Sequence, residues 1–185
     1  MELLTAVNLI LPKLGEHPVT SITVKHPTLA IILPEIDNIL VSVLSKGWWF
    51  NTYEYTARRD PEGYIALGTN ILSFIPDNRS PMAAQRGIQL FNTETMSFKW
   101  DRDVTGLVTQ KLEFNVLPES AAQHIMYSAL VTSYITDLGS TNEIQAWQIL
   151  ANSAYTMLLS EHLRNRKYST AKSPRYQRLL RARKA

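Results

Sequence analysis

Residues 44–51 read LSKGWWFN, and the hydrophobic period of the chain changes inside that stretch. Before Gly47 the apolar residues Leu29, Ile32, Leu33, Ile36, Leu40, Val43 and Leu44 recur at helical spacing. Beyond it, Trp48, Phe50, Tyr53, Tyr55, Tyr64, Ile65, Leu67, Ile71, Phe74 and Ile75 fall in short runs broken by DPEG, GTN and PDNRSP. Such runs read as strands and hairpins. Gly47 suits the C-terminal cap of the helix. Taken as strand residues, Trp48 and Trp49 face opposite sides. Two readings of the pair stand: a two-sided core, or an aromatic anchor at a subunit interface, where Trp is enriched.

Upstream, Leu3, Val7, Ile10 and Leu14 define an amphipathic helix ended by Gly15 and Pro18. Pro27 fits the first turn of the second helix. Pro34 either kinks that helix or starts a shorter one; the kinked long helix is our reading. Downstream, GIQLFNTETMSFKW and LVTQKLEFNVL continue the strand texture to about residue 117. Helical period returns at LPES. Pro118 and Glu119 open a run through Ala122, Ile125, Met126, Ala129, Leu130, Ser133 and Tyr134 to Gly139. Asn142 then caps a last helix whose Trp147, Leu150, Ala151, Ala154 and Leu158 share a face.

The expected fold class is therefore α+β. Helices of residues 1–47 and 118–163 pair into one bundle, an antiparallel β insertion spans 48–117, and a basic C-terminal arm covers 164–185. At 185 residues one domain, or a core with an inserted subdomain, is expected.

Charge divides the chain further. Residues 1–163 hold ten bases and sixteen acids, a net −6, whereas 164–185 hold nine bases and no acid. A block of like charge is a solvated tail, or an arm for nucleic acid or an acidic protein surface. Tyr168 and Tyr176 interleave with arginines, as stacking on nucleic acid would use. Yet no recognition helix or ribonucleoprotein signature accompanies them. Leu179 and Leu180, set among Arg175, Arg178, Arg181 and Arg183, favour docking on protein.

No catalytic site is expected. The four histidines lack metal-ligand spacing, and the chain has no cysteine to supply thiolates. Ser160, Glu161 and His162 are helix neighbours that point apart, so they cannot relay a proton. Asp101 and Asp103 alone are a weak cation pair. The glycines are scattered singly, which removes a phosphate loop. No cofactor or metal is expected, nor a signal peptide or membrane anchor, and the chain reads as soluble and made in a cytoplasm.

Three segments together carry a family resemblance. AVNLIL followed by GEHPV (Ala6–Leu11, Gly15–Val19) and the junction SKGWWFN (Ser45–Asn51) resemble the opening of the tail tubular protein A family. These are head-to-tail adaptors of short-tailed bacteriophages. DPEGYIALGTNILSFIP and QRGIQLFNTETMSFKW are similar to its β region, and LEFNVLPESAAQHIMYSAL to its strand, Leu-Pro-Glu and helix. The motif positions are Gly47, Trp48, Trp49, Phe50, Asn51, Leu117, Pro118 and Glu119. Trp49 stands where the family is usually polar, and residues after 163 match no family motif.

The resemblance implies a dodecameric ring beneath the portal, contact with the tail nozzle and in some phages fibres, and DNA passing through the lumen without specific binding. The virion tail is the implied location. A DNA-binding protein acting through the arm is the alternative, and a phage-entry hydrolase a more distant one.

Overall fold

The computed structural model describes residues 1–139, 142–166 and 182. Among the described residues, four α-helices frame the strands: α1 (Leu3–Ile10), α2 (Leu29–Leu44), α3 (Glu119–Leu138) and α4 (Glu143–Asn165). Between α2 and α3 lie β1 (Thr52–Ala57), β2 (Ile71–Pro76), β3 (Ala83–Arg86), β4 (Gln89–Asn92) and β5 (Val104–Gln110). The fold is α+β, with every strand pairing antiparallel.

The apolar face of α1 buries Val7 and Ile10, and Pro12 converts its end into a 3-10 turn, Leu11–Leu14, closed by Gly15 at φ +80°. Proline has no N–H and is tolerated in such a first turn. Pro34 lies inside an unbroken α2. The carbonyl that loses its partner there belongs to Ala30, which is exposed, so water can take the place of the missing donor. α3 runs from Pro118 at its N-cap to Gly139, whose φ of +83° only glycine adopts without strain. Asn142 holds the N-cap position of α4 in helical conformation, but its side chain makes no capping hydrogen bond, contrary to the expectation that it caps the helix.

α3 packs on α4, α2 and α1. Its small residues Ala121, Ala122 and Ala129 are fully buried and permit that close approach. The resulting core unites Ile10, Leu11, Ile32, Leu44, Trp48, Phe114, Ile125 and Leu158. A second, smaller core sits under the strands and contains Ile65, Leu67, Phe74, Leu90, Trp100, Val104 and Val108.

β5 is the central strand of a three-stranded sheet, order β1-β5-β2, while β3 and β4 form a separate hairpin. Gly106 of β5 faces β2 closely: a Cβ there would stand 2.4 Å from the Ile75 carbonyl oxygen. The tight spacing of the two strands therefore requires glycine.

Several expectations change. Trp48 and Trp49 are not strand residues; they lie in a turn, and β1 starts only at Thr52. Strand alternation therefore does not set their opposite environments. The strand read through LVTQKLEFNVL stops at Gln110, and Phe114–Val116 form a 3-10 turn that puts Phe114 into the helical core. Residues 60–70 contribute single bridges, Tyr64 to Lys99 and Ala66 to Gln89, instead of a strand. Leu150 of α4 is largely exposed, so it does not share the buried face of Ile144, Ala151, Ala154 and Leu158.

Candidate functional site

The stretch Gly47–Asn51 is where helix, sheet and α4 meet. Gly47 follows the end of α2 with φ +74°, and its N–H donates to the Leu44 carbonyl at 3.1 Å. That left-handed residue turns the chain so that the next side chain enters the core. Trp48 is 3% exposed, and its indole Nε1 donates to the Val43 carbonyl at 2.7 Å. A buried indole needs such a partner.

Asn51 is 1% exposed, and its side-chain amide makes three hydrogen bonds. Its Oδ1 accepts from the Trp48 N–H at 2.8 Å, and its Nδ2 donates to the carbonyls of Leu44 (3.0 Å) and Gln110 (2.9 Å). The Gln110 N–H in turn donates to the Asn51 carbonyl at 2.9 Å. One amide thus ties the end of α2, the turn and the end of β5 together.

α4 closes this junction from outside. Trp48 meets Tyr155 and His162 edge-on, with centroids 6.0 and 5.3 Å apart. Trp49, half-buried, packs on Phe50 at 4.9 Å and on His162 at 6.1 Å. Lys46 sits 4.7 Å over the Tyr155 ring. His124 of α3 lies 5.0 Å from the same ring, with its Nδ1 2.9 Å from the Ala151 carbonyl.

Burial lowers the pKa of His162, and the Arg166 charge adds to it. His124 is also lowered, chiefly by burial and further by Lys46, with the Ala151 contact opposing. The Nδ1 of His162 is buried and has no hydrogen-bond partner among the described residues. Near neutral pH both imidazoles are therefore neutral packing groups, and among the described residues neither is hydrogen-bonded to a nucleophile.

The second motif lies at the start of α3. Leu117 is buried in the helical core and Pro118 is the N-cap. The Glu119 carboxylate accepts from the Met1 ammonium at 2.9 Å and from Gln123 Nε2 at 3.0 Å, which holds its pKa below the usual carboxylate value. α4 bridges the two motifs: Tyr155 and His162 reach Trp48, and Ser120 Oγ, next to Glu119, donates to Glu161 at 2.7 Å. Sequence reading missed Lys46, His124, Tyr155 and His162 as members of this cluster. Tyr155 and His162, seven residues apart on one helix, share a face, and that spacing was the available signal.

The arm residues Arg175, Arg178, Leu179, Leu180, Arg181 and Arg183 lie outside the described residues. Among the described residues no group of His, Asp and Glu could hold a metal ion, and no helix is long and apolar enough to cross a membrane.

The profile of the tail tubular protein family matches residues 4–168, spanning both cores and the junction. The chain belongs to this family. Tail tubular protein A of Klebsiella phage KP34 is 29% identical over 183 residues, covering 99% of this chain and 98% of that protein. A family member of this kind is a structural protein of the phage tail, and so a component of the virion. In this chain the junction fixes the strands against the helices.

Proposed function

We propose that the chain is a ring-forming head-to-tail adaptor that joins the portal to the tail nozzle and encloses the DNA channel. Family membership over residues 4–168 is the observation that carries this reading. The adaptor is a dodecamer assembled in the host cytoplasm. Its helical bundle, residues 1–47 and 118–163, packs around the ring, and its β insertion, 48–117, meets the nozzle and, where present, the fibres.

Charge supports the reading. A body of net −6 disfavours the counterion-release binding that would trap passing DNA. The basic arm, 164–185, docks on the portal through Arg175, Arg178, Arg181 and Arg183, with Leu179 and Leu180 packing on protein. The 19 residues beyond Arg166, where α4 ends, reach about 29 Å as a helix or about 63 Å extended.

The test is truncation after Arg166, beyond the end of α4, which removes seven bases. The shortened protein should fold and lose co-sedimentation with portal rings. Retained portal binding, together with loss of a salt-sensitive DNA shift, would instead assign the arm to DNA.

A further inference from the structure

We infer that the outward face of α4 in one copy of this chain seats in the groove between α2 and residues 111–115 of the next copy. The inference rests on the ring reading above and names the surfaces that build it.

The first observation is chemical. From Ile144 to Ser160, seventeen residues, α4 carries no charged side chain. A helix face that stays in water is normally laced with Lys and Glu. Instead, Ile149 is 67% exposed and Met157 58%, with Leu150 and Leu163 also exposed. Ser153 and Ser160 lie on the same side, spaced by three and four residues from Ile149, Leu150, Thr156, Met157 and Leu163. Small residues between large apolar ones form a ridge that another surface can approach closely.

The second observation is a vacancy of matching character. An open groove of about 650 Å³ lies between α1, α2 and the segment after β5. Leu3, Ile22, Leu33, Leu40, Leu112 and Phe114 give it an apolar floor. Asp37, paired to Lys111 at 2.7 Å, and Glu113 stand at its border. Arg164 and Arg166, at the end of α4, place charge opposite in sign to Glu113 next to the apolar ridge.

Topology decides who the occupant is. α4 is held along α3, which also packs on α2, so α4 cannot leave that place to fill the groove of its own chain. A two-fold dimer pairing α4 with α4 would leave the groove empty. Head-to-tail contact fills both in every copy, and such heterologous contacts generate rings when the rotation closes.

The chain has no cysteine, so engineered thiols report single contacts. Ser153→Cys on the ridge and Asn70→Cys at the groove are both exposed positions, safe for folding. Tails assembled with the double variant and treated with a short bismaleimide should yield a ladder of monomer multiples on denaturing gels. Either single variant should yield none. Dimers from Ser153→Cys alone would assign α4 to a two-fold contact and overturn the inference. A cross-linked band of a different mass would assign the ridge to another tail protein, with the same consequence. Intact rings in micrographs without any ladder would overturn these faces and leave the ring reading standing; absence of rings would remove both. Independently, Ile149→Glu with Met157→Glu should weaken assembly by roughly tenfold or more while leaving the far-UV circular dichroism unchanged. Unchanged assembly would overturn the inference.

Discussion

Asn51 joins three segments of backbone through one side-chain amide, and none of its bonds is replaceable by water at 1% exposure. Asn51→Ala leaves a buried N–H and two carbonyls without that partner, which should cost about 3 kcal/mol in chemical denaturation. Asn51→Asp keeps the acceptor and loses both donated bonds, so it should also destabilise. A change of less than about 0.5 kcal/mol for both would show that the junction is not held by this amide. The tryptophans beside it differ in kind. Trp48 fills the helical core, and Trp48→Ala should cost roughly 3–5 kcal/mol. Trp49 packs only at its edge, so Trp49→Ala should cost clearly less. Equal losses would contradict the asymmetric burial. The sequence contained both residues of this pair in full view, yet assigning them to a strand gave the wrong reason for one being buried. What sends Trp48 inward is the left-handed turn at Gly47 and the indole bond to Val43.

α4 is the element whose role periodicity described least well. Its buried stripe is narrow, because Ala151 and Ala154 let it lie close to α3, and larger apolar residues then remain outside. Spacing alone grouped Leu150 with the core, since a shift of one position along a helix turns a residue by about 100°. The histidines facing Tyr155 and Trp48 give the α3–α4 contact a pH dependence. Both His124 and His162 have pKa values lowered from the ordinary 6.5, so the unfolded chain binds their protons more readily. Their contribution to stability is complete above about 6.5 and is lost as the pH falls through the folded-state values. Thermal unfolding should therefore drop in midpoint on acidification below about pH 6.5, before the carboxylates begin to titrate. His162→Phe combined with His124→Gln should flatten that region of the profile. An unaltered slope would place the dependence elsewhere.

Across the whole molecule the two cores are unequal. Among the described residues the helical core has 23 buried members and the one under the strands eight. Local opening follows buried apolar contact density. Backbone amides of β1, β2 and β5 should exchange with deuterium faster than those in the middle of α3, with β5, the central strand, slowest of the three. Uniform protection across strands and α3 would mean that the junction couples both parts into one cooperative unit.

The order of elements was legible because hydrophobic period is a local property. Gly47 and Pro118 each mark the switch in the amino-acid string itself, and the signatures around them were enough to suggest the family. The opposed charges of body and arm are likewise composition, and need no coordinates. Which apolar residues end up outside is not local. Leu150, Ile149 and Met157 carry the same side-chain chemistry as Leu158, which is fully buried, and only the approach of α3 along one line of α4 separates them. The meeting of Lys46, Trp48, His124, Tyr155 and His162 belongs to the same category. Their positions in the chain span more than a hundred residues. Short-range pattern cannot carry that information, because the contact exists only once three helices have packed.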